Sequence, residues 1–129
     1  MATREEYDAI VIGASKSAVF LSPALVQAGW RTALIEREYL GGVCVNVGCT
    51  PTKTMIASAR VAQFARRAAE YGVHTGPVTV DLAAVRQRKR DLVSLVSAFP
   101  AGMIEQTEGL DLVMGEASFI DSKSVEVRL

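Results

Sequence analysis

Hydrophobic positions in this chain fall into short unbroken runs that alternate with longer stretches of helical spacing. "YDAIVIG" (7–13) is a β-rich apolar run closed by a glycine, which predicts a buried strand. "ASKSAVFLSPALVQAG" (14–29) repeats its apolar residues at helical spacing and closes on Gly29, which predicts a helix with a glycine just past its end. "WRTALIE" (30–36) predicts a second buried strand. Strand, helix and strand in about thirty residues form a βαβ unit, which requires a parallel pair and a right-handed crossover. Further on, Pro51 can open a helix at its first turn, and "TKTMIASARVAQFARRAAEYG" (52–72) runs long and amphipathic to Gly72. "HTGPVT" predicts a turn. "VDLAAVRQRKRDLVSLVSAF" (80–99) predicts another helix with Asp81 as its N-cap, and its "RQRKR" run reads as a solvated helix face. "GLDLVMGEASFIDSKSVEVRL" (109–129) predicts short strands with turns at Gly115 and "DSKS". There is no internal repeat, low-complexity segment or linker, and the fold class is α/β.

Composition narrows the function classes. A chain of 129 residues suits one domain. Lys and Arg number 14 and Asp and Glu number 14, so net charge gives no pull toward nucleic acid or an anionic membrane. The start, "MATREEYDAIVIG", has no long apolar run after a basic stretch, so no secretory signal is expected. No apolar run approaches the roughly 18 residues of a membrane span. A cytoplasmic location is the expectation, and there a disulfide is more often catalytic than structural. Half the residues are hydrophobic and mean hydropathy is +0.23, so some apolar surface is expected to face a cofactor or another domain.

The first strand-to-helix turn carries a nucleotide signal. Dinucleotide-binding turns read Gly-x-Gly-x-x-Gly/Ala: the first glycine turns the chain, the second admits the pyrophosphate, and the third lets helix and strand pack. Here the stretch is "GASKSA". Gly13 fills the first place, Ala18 is an allowed third, and Ser15 stands where the second glycine belongs. Ala14 and Ser17 complete the turn from which free helix N–H groups would meet phosphate. Glu36 closes the second strand, where an acidic residue would bind ribose hydroxyls. An ordinary strand-to-helix turn remains the alternative on these residues.

"GGVCVNVGCTPTK" (41–53) holds both cysteines, five residues apart. Two cysteines and His74 cannot supply the about four ligands of a zinc site. A structural disulfide closing so short a loop contributes only about 2 kcal/mol. The remaining reading is a redox pair held beside a dinucleotide. Lys53, one helical turn on, and the start of the following helix both favour thiolate over thiol.

With these residues in view, the chain resembles the N-terminal part of the flavoprotein pyridine nucleotide-disulfide oxidoreductases. The segment Gly41–Lys53 matches that family's active-site signature nearly throughout, and "YDAIVIGA", "GWRTALIER", "RRAAEYGV" and "GPVTVD" look most like its mercuric-reductase-like branch. The resemblance covers essentially the whole chain. It implies a Rossmann-like FAD-binding domain, with residues 1–129 as its N-terminal segment, a parallel βαβ sheet with helices, and a short β-meander at the C-terminus. It implies a redox-active disulfide between Cys44, the interchange thiol, and Cys49, the charge-transfer thiol beside the flavin, with Cys44 the more accessible. Lys53 resembles the lysine near the flavin's reactive nitrogen, and Glu36 the ribose ligand. Gly42 and Val43 resemble backbone neighbours of the cofactor, and Ala117 resembles the small residue at the adenine edge. Gly13, Ala14, Ser15, Ser17, Ala18, Arg37 and Gly48 fall among the positions that would surround FAD. No metal site is implied. In the family, hydride passes from NAD(P)H to FAD, and electrons then pass to the cysteine pair and to a small disulfide or mercuric ion.

Two departures qualify what the resemblance implies. If Ser15 needs φ > 0, its side chain adds strain of order 1 kcal/mol, and Pro23 falls inside the first helix, where it removes a hydrogen bond. Family members also continue for several hundred residues, with a second FAD segment, an NAD(P)H domain and a dimerisation domain. Three readings follow: the amino-terminal piece of an FAD- and NAD(P)H-dependent reductase, a non-catalytic remnant with weak or no FAD binding, and a small dithiol protein without flavin. Homodimer formation, or pairing with the missing C-terminal domains, is expected of the exposed surfaces. His74 does not match the family's catalytic histidine, and Tyr39, Tyr71 and Trp30 read as packing residues.

Overall fold

In the computed structural model, which describes residues 4–129, the first half of the chain follows the predicted βαβ order. Residues 1–3, part of the stretch read as lacking a secretory signal, lie outside the described residues. Strand β1 (Ala9–Ile12) leads into helix α1 (Lys16–Gln27) and strand β2 (Thr32–Glu36). Gly29 adopts φ +86° just beyond the α1 C-cap, as its place after the last apolar residue predicts. The two strands run parallel, with Val11 beside Leu34 and Ile12 beside Ile35.

Three further helices follow. The short helix α2 (Gly42–Asn46) was not predicted, because two glycines and β-branched valines argue against helix there. Asn46 supports it by donating from Nδ2 to the carbonyls of Leu40 (3.0 Å) and Gly42 (2.9 Å). Helix α3 (Cys49–Arg66) begins three residues earlier than predicted, and Pro51 falls in its first turn, where no N–H is required. A 3₁₀ turn (Ala68–Tyr71) then ends at Gly72. Helix α4 (Leu82–Glu105) starts at the predicted cap: Asp81 accepts from the N–H groups of Ala83 (2.8 Å) and Ala84 (3.0 Å). It continues past the predicted end at Phe99, straight through Pro100. An interior proline costs about 3 kcal/mol; burial of Pro100 and of Ile104, which is 2% exposed, offsets it. The "RQRKR" face is only partly solvated, because Arg88 reaches across to donate to the Thr54 carbonyl (3.1 Å) and Lys89 is half-buried.

The predicted C-terminal strands divide between two sheets. Strand β3 (Leu110–Met114) joins the first sheet parallel to β2, giving the order β1-β2-β3. Helix α4 returns the chain to the far edge, so β3 can pair only in the parallel sense. Strands β4 (Glu116–Phe119) and β5 (Val125–Arg128) form an antiparallel hairpin, so the expected meander is a third parallel strand followed by a hairpin.

The core lies on one face of the sheet. Ala18 and Val19 of α1, Leu34 of β2 and Ile104 of α4 are buried together, with Val11 and Leu112 packed against them. Strand alternation sends Ile10 and Ile12 to the opposite face, where they stay 39% and 47% exposed. Parallel sheets are normally covered on both faces. The accessible surface is 9266 Å², against about 6,600 Å² expected for a folded monomer of this mass.

Candidate cofactor and redox site

A cavity of about 510 Å³ opens at the C-terminal end of β1 and β2, the position where parallel α/β sheets bind ligands. Ile12, Gly13 and Ser15 line one side, the Glu36–Tyr39 turn another, and Gly42, Val43 and Cys44 a third; the β3–β4 corner, Gly115 to Ala117, closes it.

Gly13 turns the chain at φ +89°, and its N–H donates to the Ile35 carbonyl at 2.7 Å. Ser15 is the N-cap of α1 with φ −65° and ψ 171°, ordinary extended backbone, so the strain expected of a non-glycine residue there is absent. Its hydroxyl meets that of Ser17 at 3.0 Å and caps no helix N–H. The first helical bond runs from Val19 N–H to the Ser15 carbonyl, so the N–H groups of Lys16 to Ala18 carry no intrahelical partner. Ala14 and Ala18 are buried beneath the turn, while Lys16 and Ser17 are exposed.

Glu36 ties this turn to the next. Its Oε2 accepts from the Ala14 N–H (2.7 Å), and its Oε1 from the N–H groups of Glu38 (2.7 Å) and Tyr39 (3.3 Å). Burial pushes its carboxyl up, but the combined backbone N–H bonds outweigh burial and hold it below the usual carboxylate range. Arg37, on the rim, pairs with Glu116 at 3.5 Å, and Arg128 approaches the same carboxylate at 3.8 Å. All three are exposed, so these pairs are weak.

The cysteine segment docks on the first turn through two glycines. Gly41 N–H donates to the Ala14 carbonyl (2.8 Å), and Gly42 N–H to the Tyr39 carbonyl (3.1 Å). Both glycines are left-handed, at φ +90° and +73°. A Cβ on Gly42 would lie 3.0 Å from Ser15 Cα, and one on Gly41 would lie 2.9 Å from Pro100 Cγ. Both positions therefore demand glycine for conformation and for space. Gly48 N–H donates to the Val43 carbonyl at 2.8 Å and closes the loop between the cysteines. Cys44 and Cys49 form a disulfide with Cα atoms 4.8 Å apart, and both residues are exposed. Cys44 lines the cavity, whereas Gly48, Cys49 and Lys53 lie outside it. Cys49 occupies the first position of α3, and exposed Lys53 follows one turn later.

Some contributors were not legible in the sequence. Tyr39, read as a packing residue, is 41% exposed and lines the cavity; Trp30 and Tyr71, read likewise, are 49% and 69% exposed. Asn46 and Pro100 shape the cysteine turn and were assigned no such role. His74 lies with Arg66 and Ala69 in a separate shallow pocket near the end of α3. Among the described residues no three His, Cys, Asp or Glu side chains converge as metal ligands, and no helix is long and apolar enough to cross a membrane.

The chain is similar to known proteins over nearly all of its length. The chain is 34% identical over 123 residues to a dihydrolipoyl dehydrogenase of Chlamydia pneumoniae, a match covering 95% of this chain and 26% of that protein. It is 34% identical over 122 residues to a mercuric reductase of Staphylococcus aureus, covering 95% of this chain and 22% of the relative. The fold superimposes on the Cu(II) complex of the HOCl-induced flavoprotein disulfide reductase RclA from Escherichia coli with a TM-score of 0.79 and 30% identity, covering 98% of this chain and 25% of that one. The chain thus spans about a quarter of the length of these relatives. The family description "Pyridine nucleotide-disulphide oxidoreductase" matches residues 7–128, and the chain belongs to that family.

Proposed function

We propose that this chain holds the adenosine-diphosphate half of FAD and carries the redox-active cysteine pair of an NAD(P)H-dependent disulfide or mercuric-ion reductase, working in a reducing cytoplasm with domains of the kind its longer relatives possess. The observation that carries the reading is Cys44: it lines the same cavity as the uncapped start of α1, and the Gly42 turn that delivers it touches Ser15. The residues present fit the cofactor. The N–H groups of Ser17 and Ala18, which have no intrahelical partner, suit a pyrophosphate, the lone pair of Glu36 Oε2 not taken by the Ala14 N–H suits a ribose hydroxyl, and the Ala117 backbone suits the adenine edge. Bound FAD supplies two-electron transfer between nicotinamide and thiols.

The cysteines do the rest of the work. A substrate disulfide is attacked by the Cys44 thiolate, one substrate sulfur leaves as thiolate, and a mixed disulfide forms. The Cys49 thiolate then attacks Cys44, releases the second substrate sulfur, and restores the protein disulfide. The substrate gains two electrons and the pair loses two. Lys53 and the start of α3 stabilise the negative sulfur of Cys49 during this exchange.

The test is mass mapping after mild oxidation, then alkylation after mild reduction. The expected result is an intramolecular Cys44–Cys49 disulfide, with Cys44 alkylated first. Two free, equally inert thiols under oxidising conditions would sink the reading. A second reading, a non-catalytic segment that pairs with a family-length relative, is favoured by the uncovered sheet face at Ile10 and Ile12. Titration with added FAD separates the two: saturable binding is expected of the first reading, and no binding of the second.

A further inference from the structure

We infer that Pro100, outside the cysteine segment, is a positioning residue for the Cys44–Cys49 pair: its ring, wedged against Gly41, holds the turn that carries Cys44. Proline inside a 24-residue helix is unfavourable, because it removes a backbone hydrogen bond and its ring crowds the preceding turn. Here it is buried, and its Cγ and Cβ would lie 2.9 and 3.5 Å from a Cβ on Gly41. Hydrogen bonds already fix the turn elsewhere: Gly41 N–H to the Ala14 carbonyl, Gly42 N–H to the Tyr39 carbonyl, and the Asn46 amide to the Leu40 and Gly42 carbonyls. Pro100 supplies the apolar contact from α4 that these bonds do not. Its ring is rigid, so little side-chain freedom is lost in making that contact.

The molecule contains its own control. Pro23 is also buried inside a helix, but in α1. The atoms closest to a side chain built at Gly41 or Gly42 belong to Pro100, Val45 and Ser15.

The inference rests on the redox-pair reading, and glutathione probes it. One glutathione thiolate attacks a sulfur of the pair, and a cysteine thiolate leaves. A second glutathione resolves the mixed disulfide. Two glutathiones become one glutathione disulfide, while the pair gains two electrons and two protons. The equilibrium reports the effective concentration of one thiol beside the other in the reduced protein. A loosened turn lets the thiols separate, which makes the disulfide easier to reduce.

The experiment titrates the full chain, Pro100→Ala, Pro100→Val and Pro23→Ala in glutathione redox buffers, with alkylation and mass readout. Pro100→Ala should shift the equilibrium toward dithiol by about three- to tenfold, and Pro23→Ala by less than about twofold. Pro100→Val, which restores apolar bulk against Gly41, should return toward wild type. The ratio of Cys44 to Cys49 alkylation after reduction should fall in Pro100→Ala alone. An unshifted Pro100→Ala, or an equal shift in Pro23→Ala, overturns the inference, the latter because it would mark general loosening of helices. If the wild-type chain forms no disulfide, the redox-pair reading fails by itself, and an alkylation ratio unchanged by Pro100→Ala still overturns the positioning role.

Discussion

The Ala14 N–H donates to Glu36 Oε2 at 2.7 Å across 22 residues of sequence, so the acidic residue that ends β2 holds the β1–α1 turn in place as well as facing the cavity. The other oxygen anchors the Glu38–Tyr39 turn. One carboxylate thus fixes two walls of the same cavity before any ligand arrives, which lowers the ordering that binding would require.

This clamp predicts an acid-sensitive stability. The Glu36 carboxyl is held below the ordinary glutamate value of about 4.3. A depressed folded-state pKa contributes stability that is fully present above the unfolded value and is lost as pH falls through the folded one. Glu36→Gln should therefore cost about 1–3 kcal/mol at pH 7, and the difference from wild type should shrink below about pH 4. Urea unfolding at both pH values checks this. An equal cost at both would show that the charge is irrelevant to the clamp.

The buried Ser22 hydroxyl predicts a stabilising substitution. Ser22 is 0% exposed, and its Oγ has no hydrogen-bond partner among the described residues. Its neighbour Pro23 has no N–H to offer the Val19 carbonyl, so α1 carries two local defects in succession. Ser22→Ala removes the unsatisfied hydroxyl, improves helix propensity and leaves only a small void. It should raise stability by about 1 kcal/mol, read as a higher Tm. A loss of similar size would mean that the hydroxyl finds a partner in solution.

Surface area predicts association. The accessible surface exceeds that of a typical monomer of this mass by about 2,600 Å², the size of a substantial interface. Ile10 and Ile12 on the open sheet face, and Leu95 and Phe99 on α4, are among the exposed apolar residues. The chain should self-associate at tens of micromolar or bind a hydrophobic dye, and Ile12→Lys should weaken both. A dye-silent monomer by sedimentation at high concentration would contradict this.

The elements that were legible in the sequence depend on local rules. The first βαβ unit, the Gly13 turn, the glycine after α1 and the Asp81 cap each follow from residues within one or two turns of each other. The cysteine segment was legible because its residue types and spacing fit few other chemistries. The elements that were missed depend on contacts distant in sequence. Helix α2 forms against local propensity because its glycines dock on Ser15 and Pro100, and α4 survives its own proline because that proline packs on Gly41. The parallel placement of β3 depends on where α4 returns the chain. Pattern alone also assigned Tyr39 to packing, since nothing in sequence says which side of the Glu36 turn faces the cavity.

FAD binding by this chain should be weak. The cavity has Ser15, the N-cap of α1, and the pre-set acidic residue Glu36 in its wall, but the chain spans only about a quarter of its relatives and so supplies part of the usual contact area. Little FAD should remain bound on purification. Ser15 lines the cavity at the start of α1, and its Cβ and hydroxyl occupy space that a glycine would leave to phosphate. Because Ser15 sits at φ −65°, replacing it releases no backbone strain, and only crowding is relieved. Ser15→Gly should therefore tighten FAD binding by about three- to tenfold, equivalent to about 1 kcal/mol. Fluorescence titration of FAD into both proteins decides it. Stoichiometric binding by wild type with no gain in Ser15→Gly would show that the hydroxyl is accommodated, donating to the phosphate alongside Ser17 rather than obstructing it.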